Sequence, residues 1–317
     1  MGYDFHTPVL VKEVIDGLVK SNLRGGRPNV IVDATAGGLG HSAAFAQELA
    51  KNGVLVCIDQ DAEALTNDEK LITNDGCKIE FVHDNFVNLK RILRELDIDN
   101  IDAILADLGV SSHQIDTAER GFSYTKDGPL DMRMNKSDKR DADHVVNKYS
   151  PARLEEIIRE YGEEKFAKRI TQAIVLSRPI KTTGELAKII VDAVPGDYWR
   201  TGGHPAKRTF QAIRIEVNRE LEVLEKFIVD AAAALRPGGR IGIITFHSLE
   251  DRIVKQTFKR LSTECLCPPK TPKCICGHKA TLDLVTKKPI EPTDDEVRNN
   301  PRAASAKLRI AERRRET

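Results

Sequence analysis

Net charge is nearly absent from this sequence: 49 Lys and Arg face 48 Asp and Glu, leaving +1. The global balance therefore neither requires nor excludes a polyanionic partner, and only local clusters can argue for one. Long apolar runs are missing as well. The first thirty residues hold no long apolar run and carry acids early, so neither a signal peptide nor a transit peptide is expected. The expectation is a cytoplasmic protein with no membrane partner. Cysteine is scarce: six in 317 residues are too few for a disulfide framework, and Cys265, Cys267, Cys274 and Cys276 crowd into one short stretch. That usage fits a reducing compartment. No internal repeat is found. What the chain does have is 40% hydrophobic residues over a length beyond the usual single domain, enough for one core and a smaller second module.

The first third alternates short β-branched runs with amphipathic stretches: NVIVDATAG, VLVCIDQD, CKIEFVHDNF and IDAILADLG, separated by segments such as HSAAFAQELAKNG. Such alternation predicts an α/β fold with a mostly parallel, Rossmann-like sheet. From about Asp116 to His204 polar turns lead into helical patterns with no convincing strand, which predicts a helical insertion over residues 116–204. The α/β rhythm returns with one long helix, about Lys207 to Leu235, then RPGGR and the strand IGIITFHS. Residues 1–115 and 205–317 are thus expected to form one domain. ATLDLVTKK and AKLRIAERR are candidates to close the sheet at one edge, with the Cys-rich and Pro-rich stretch from Cys265 to Pro301 forming loops around them.

In open α/β sheets ligands sit beyond the carboxyl ends of the strands, where a glycine-rich turn lets them approach the backbone. DATAGGLGHS, Asp33 to Ser42, lies at that place. Gly37, Gly38 and Gly40 supply the unhindered turn, and Asp33 is suited to orient it or to take a cationic amine. The next strand ends in Asp59, where a carboxylate can accept both hydroxyls of an adenosine ribose. The ligand should contain a nucleoside. A nicotinamide-dependent oxidoreductase fits the same turn, because GLGHSA also satisfies the dinucleotide fingerprint. The later strand ends favour the other reading, a methyltransferase, which uses successive strand ends in this way: Asp84 to Phe86 offers a polar group and an aromatic face for adenine, and Asp107 to Gly109 puts an acid beside the methyl-donor end. Each acid taken singly has a plainer reading as a helix cap.

These residues resemble a known family, the bacterial cytosine-N4 methyltransferases of small-subunit ribosomal RNA. The resemblance runs in order through HTPVL (His6 to Leu10), DATAGGLGHS, DLGVSSHQID (Asp107 to Asp116), RGFSY, DGPLDMRM, GGHPAKRTFQAIRIEVNREL (Gly202 to Leu221), PGGR, TFHSLEDR (Thr245 to Arg252) and NPRAASAKLR. It covers essentially the whole chain. It implies a class I methyltransferase domain with a small inserted helical domain for substrate recognition, S-adenosylmethionine as cofactor, and small-subunit ribosomal RNA or the small ribosomal subunit as partner. Matching positions carry cofactor contacts onto Leu39, Gly40, His41, Asp59, Phe86, Asp107 and Gln114, with Leu39 acting through its backbone. A homodimer is left open.

A cytosine amine shares its lone pair with the ring, so the enzyme must hold it in line with the sulfonium methyl. A hydrogen-bond acceptor at the amine raises electron density on nitrogen and receives the proton. Asp107 is the candidate by location. Typical exocyclic-amine methyltransferases carry an Asp/Asn/Ser-Pro-Pro-aromatic box here, whereas this chain reads Asp107-Leu108-Gly109-Val110-Ser111-Ser112. Either Asp107 is the acceptor, or it serves the cofactor alone and Ser111 or a backbone carbonyl meets the base. The missing box also keeps a non-catalytic ribosome-assembly factor among the alternatives. Lys207, Arg208 and Arg214 beside Phe210 suit phosphate contacts, with Arg133, His247 and Ser248 as further candidates for the substrate side. Phe210 itself falls on the helical spacing of Ile213, Val217, Leu221 and Leu224, which favours the core. The basic end from Lys307 onward is either an RNA contact or a solvated terminus. No metal is assigned to the reaction. The paired C-x-C spacing of the four clustered cysteines can hold a structural zinc, although it is tighter than the common knuckle spacing, and the resembling family needs no metal for transfer.

Overall fold

A computed structural model describes residues 8–20, 26–65, 76–198, 203–268, 271 and 273–315. His6 and Thr7 of HTPVL, Gly202, and Pro269, Lys270 and Pro272 of the Cys-rich stretch lie outside the described residues. The chain divides into two compact units, one made of residues 1–109 and 221–317 and the other of residues 110–220.

Among its described residues the first unit has seven strands: β1 Val30–Asp33, β2 Val54–Asp59, β3 Lys78–His83, β4 Ile101–Asp107, β5 Leu235–Thr245, β6 Leu282–Leu284 and β7 Lys307–Arg313. Their order is β3-β2-β1-β4-β5-β7-β6, parallel from β3 through β5, with β7 antiparallel to both of its neighbours. Both expected late strands are present. The central strands read as continuous apolar runs because both faces are covered. Alternate residues go to opposite layers: Val32, Val56, Ile58 and Ile104 face one core, and Ile31, Leu55, Cys57 and Leu105 face the other.

Among the described residues the α-helices are, in chain order, α1 Val11–Val14, α2 Gly40–Glu48, α3 Ala62–Leu65, α4 Leu89–Glu95, α5 Ser112–Asp116, α6 Ala142–Lys148, α7 Pro151–Glu160, α8 Ala167–Leu176, α9 Thr183–Ala193, α10 Ala206–Asn218, α11 Glu220–Ala234, α12 Ser248–Leu261 and α13 Asp294–Asn299. On the sheet, α4, α11 and α12 bury Ile92, Phe227 and Phe258 against one face, while α1 and α2 bury Val14 and Phe45 against the other.

The second unit, residues 110–220, has its own core, in which Val146, Leu154, Ile170, Ile190, Phe210 and Ile213 meet. Among its described residues there is no strand, only an isolated bridge between Pro129 and Thr182. Two of its helices show clear start signals. The Ser150 side chain accepts from Arg153 N–H with Pro151 in the first turn, and Thr182 and Glu185 form a reciprocal capping box. The unit takes in more chain than the expected 116–204, because α10 packs on α6, α7 and α9.

The single long helix expected over Lys207 to Leu235 is instead two, α10 and α11, and the strand β5 already begins at Leu235. Arg219 between them is left-handed, with φ 53°. The apolar periodicity runs straight through this break, so nothing in the pattern marks it. Its cause is Asn218, whose amide accepts from Met134 N–H at 2.8 Å and donates to the Met132 carbonyl at 2.8 Å. Among the described residues, no helix is long and apolar enough to cross a membrane.

Candidate active site

The strand order reverses between β1 and β4, the switch point at which open α/β sheets bind ligands. Three strands around that point, β1, β2 and β4, each end in an aspartate: Asp33, Asp59 and Asp107. The sequence assigned all three to this place, and the fold brings them together.

The turn after β1 connects them. Ala34 N–H reaches the Leu105 carbonyl of β4 and Ala36 N–H reaches the Ile58 carbonyl of β2, so the turn is stitched to both neighbours. Gly37 takes φ +47° and donates its N–H to Asp59 Oδ2 at 2.8 Å, while Asp59 Oδ1 accepts from Asp61 N–H at 2.8 Å. Leu39 is left-handed at φ 61°, with its side chain buried, and α2 starts after it without a side-chain cap. That leaves backbone N–H groups at a helix start, where an anionic ligand group is welcome. Gly40 has a packing reason beside the one read in the sequence: a Cβ there would meet Pro8 Cγ at 2.7 Å, so its smallness also admits Pro8.

Asp33 is buried and accepts from the Ser42 hydroxyl at 2.6 Å, and burial raises its pKa from 3.8 to about 6. Burial likewise raises Asp59 to about 6. Asp107 is raised well above the carboxylate range by burial first, then by the charges of Asp33 and Glu250. Its Oδ1 is buried with no hydrogen-bond partner among the described residues. His41 Nδ1 stands 3.7 Å from Asp107 Oδ2, but Nε2 bonds to the Val9 carbonyl at 2.9 Å and burial lowers the imidazole pKa to about 4. The ring is therefore neutral with its proton on Nε2, and it supplies Asp107 with no positive charge. The result is a set of buried acids that no Lys or Arg among the described residues compensates. A ligand carrying a sulfonium and an ammonium fits that deficit, and the residues present suit S-adenosylmethionine.

Phe86 is partly buried, with its ring 4.7 Å from Phe227, which holds one side of it. Asp84 does not offer the open polar group expected of it: its carboxylate pairs with Arg91 and accepts from Asn88 Nδ2 at 2.8 Å.

Three contributors escaped the sequence reading. The Thr35 hydroxyl accepts from Asp107 N–H at 2.6 Å and fixes the end of β4. Ser42 holds Asp33. Glu250, buried, accepts from Phe246 N–H at 2.9 Å and forms a capping box with His247, which shapes the turn after β5 and assigns His247 a capping role. All three lie inside motifs quoted for the resemblance, but a hydroxyl or a cap carries no spacing signal of its own.

Ser111, Gln114, Arg133, Lys207, Arg208 and Arg214 belong to the second unit. Ser111 and Gln114 form a reciprocal capping box at the start of α5, with Ser111 Oγ accepting from Gln114 N–H and Gln114 Oε1 accepting from Ser111 N–H. Arg133 makes a two-pronged pair with Asp131, at 2.7 and 3.0 Å, and donates to the carbonyls of Lys136 and Asp138, so every guanidinium nitrogen is engaged in its own loop. Arg214 grips Glu220 with two bonds of 2.9 and 2.8 Å across the break at Arg219. These two arginines are fastened into the unit rather than held out toward a phosphate. Lys207 and Arg208 are exposed, with Arg208 donating to the Glu163 carbonyl at 2.9 Å. Phe210 is buried, edge-on to Tyr124, as the helical spacing favoured. The basic end from Lys307 is largely strand β7, with Arg309 paired to Asp251 and Arg314 paired to Asp283.

A five-strand parallel run ending in an antiparallel β7 slotted before β6, with acids on three strand ends, defines the class I methyltransferase fold. The all-parallel 3-2-1-4-5-6 order of dinucleotide-binding oxidoreductases does not have that slot. The chain belongs to the MraW methylase family, whose model matches residues 4–314. It is 49% identical over 97% of its length to a Halothermothrix orenii protein named ribosomal RNA small subunit methyltransferase H, covering 98% of that protein. A protein of the same name from Clostridium botulinum is 51% identical over 96% of this chain and 97% of its own. Another from Clostridioides difficile is 48% identical over 97% and 98%.

Proposed function

We propose that this chain uses S-adenosylmethionine to methylate the exocyclic N4 amine of a cytidine in small-subunit ribosomal RNA. Methylation of small-subunit ribosomal RNA follows from the family and from relatives about half identical over nearly their full length. The choice of a cytosine amine rests on the sequence resemblance and on the chemistry of Asp107. The observation that carries the reading is the unpartnered Oδ1 of Asp107 at the end of β4, beside two further acids and with no Lys or Arg paired to it among the described residues.

In this reading the turn at Leu39, Gly40 and His41 takes the amino-acid end of the cofactor, with the uncapped start of α2 facing its carboxylate. Asp59 takes the ribose hydroxyls and Phe86 lies along the adenine. Gln114 is assigned by the resemblance. The cofactor supplies an electrophilic methyl on a positively charged sulfur. Asp107, ionised once that charge is near, accepts from the cytosine amine, raises the electron density on nitrogen and holds the departing proton. Ser111 is the second candidate to meet the base. Residues 110–220 serve substrate recognition, with Lys207 and Arg208 as the exposed cations toward phosphate.

The test is mass spectrometry of ribosomal RNA nucleosides from cells with and without the protein, paired with labelled methyl transfer to small subunits in vitro. N4-methylated cytidine that disappears with the protein supports the reading. Transfer to a different atom overturns the cytosine assignment, and no transfer by the wild type makes the chain a binding factor. Calorimetric binding of a nicotinamide dinucleotide with no response to S-adenosylmethionine would return the oxidoreductase.

A further inference from the structure

The segment between α12 and β6 is fastened at its roots and unsupported in its head. Thr281 N–H reaches the Leu261 carbonyl at 2.8 Å, Arg314 N–H reaches the Thr281 carbonyl at 3.0 Å, and His278 Nε2 bonds to the Arg260 carbonyl at 3.0 Å. Beyond those ties no described residue between Leu261 and Leu282 is buried, and Ile275 is 83% exposed. A stretch of this length without a core needs some other staple to hold one conformation.

The four thiols supply it. Cys265, Cys267, Cys274 and Cys276 turn their sulfurs inward to within 4.8 Å of one another. The separations are 3.4 Å between Cys265 and Cys274, 3.5 Å between Cys274 and Cys276, 3.8 Å between Cys265 and Cys276, and 4.0 Å between Cys267 and Cys274. A tetrahedral zinc with Zn–S bonds of about 2.3 Å sets its sulfurs about 3.8 Å apart. A disulfide would need about 2.0 Å. A multi-iron cluster would need room inside the thiol shell for its irons and sulfides. Three backbone amides also point at sulfur, each at 3.4 Å: Leu266 N–H at Cys276, Cys267 N–H at Cys265, and Ile275 N–H at Cys267. Amide donors of that kind stabilise thiolates, which is what a metal-bound sulfur is.

We infer that Cys265, Cys267, Cys274 and Cys276 bind one structural zinc ion that holds the described residues between Leu261 and Leu282 in a knuckle. The topology keeps this metal away from the reaction. Because β7 is antiparallel to both β5 and β6, those two strands run the same way, so α12 carries the chain from the end of β5 back to the start of β6. The knuckle therefore sits at the end of the sheet where strands begin, opposite to Asp33, Asp59 and Asp107.

The experiment uses the full chain, expressed with zinc in the medium and purified under reducing conditions without chelator. Elemental analysis should return one zinc per chain, and mercurial titration should release it as four thiols react. Cys274→Ser and Cys276→Ser should lose the zinc, and protease should then cut within 262–281 while S-adenosylmethionine still binds within about twofold. Cys77→Ser should keep the zinc. If the cysteine variants do not fold, cobalt exchange into the wild type gives an independent reading, through the visible spectrum of tetrahedral tetrathiolate cobalt. Wild-type protein with no zinc, iron in its place, or these cysteines found as disulfides in fresh lysate would each overturn the inference.

Discussion

The acids at the strand ends of the first unit and the arginines of the second are in opposite states. Asp107 has a buried oxygen with no partner among the described residues, whereas Arg214 has two bonds to one carboxylate and Arg133 has a bond from every guanidinium nitrogen. A buried charge left without a partner costs free energy, and a fold keeps such a charge where a ligand can supply what is missing. A charge already matched by its own fold has nothing left to offer a ligand and serves the architecture. Residue type alone suggested the arginines as binders and left the acids divided between capping and catalysis. The partners decide.

The largest effect should come from removing the unpartnered acid. Asp107→Ala should lower single-turnover methyl transfer about 10³-fold, within the range expected for a general base. The folded protein should not lose stability, because a desolvated carboxyl group with an unsatisfied oxygen is removed. Activity within about tenfold of wild type would make Asp107 a cofactor contact and move the acceptor role to Ser111 or a backbone carbonyl.

Asp33 sharpens the same contrast through pH. Its pKa in the fold is about 6 against 3.8 ordinarily, so the folded state holds the proton more tightly than the unfolded chain does. The penalty is absent below about pH 4, grows as pH rises through about 6, and then levels off at about 3 kcal/mol, from roughly 1.4 kcal/mol per pKa unit. Asp33→Asn keeps an acceptor for Ser42 and removes the charge. Urea unfolding of the ligand-free protein should therefore find wild type and variant alike near pH 4, with the variant more stable near pH 7. Saturating S-adenosylmethionine should narrow the gap. A gap that does not change with pH would show that Asp33 is not carrying this buried charge.

On the other side of the comparison, Arg214→Ala strands Glu220, which is 10% exposed at its side chain. Breaking a fully buried pair costs several kcal/mol, and the partial exposure here reduces that to about 2 kcal/mol. The loss should appear as earlier chemical unfolding of the second unit, with RNA affinity of the folded protein at low denaturant little changed. Strongly reduced RNA binding with undiminished stability would reverse the assignment of Arg214 to architecture.

Much of the first unit was legible because its signals are local and periodic. Apolar runs ending in Asp33, Asp59 and Asp107 gave three strands and their ends, and the turn chemistry of DATAGGLGHS placed the site. The second unit was legible as helical and little further. The break at Arg219 could not be seen, since it depends on Asn218 reaching Met132 and Met134, more than eighty positions away. The pairings of Arg133 and Arg214 were hidden for a similar reason: a cation looks the same in sequence whether or not a carboxylate has closed on it. Gly40 shows the converse, a residue assigned to ligand access whose smallness also admits Pro8. Spacing reports which faces are apolar, but which polar groups have been satisfied is a property of the folded chain.

Lys207 gives the smallest effect and the finest discrimination. It is exposed at the start of α10, and among the described residues its ammonium meets no carboxylate, unlike Arg133 and Arg214. If it meets phosphate, Lys207→Ala should weaken RNA binding only a few-fold, because one exposed cation contributes little in high dielectric. The more telling quantity is the salt dependence. Removing a cation that pairs with one phosphate of single-stranded RNA should flatten the plot of log affinity against log salt by about 0.7. Arg133→Ala should leave that slope alone, since its charge is already neutralised by Asp131. Equal slopes for wild type and Lys207→Ala, measured by fluorescence anisotropy on the same RNA, would remove Lys207 from the substrate side and leave Arg208 as the remaining exposed cation of that helix start.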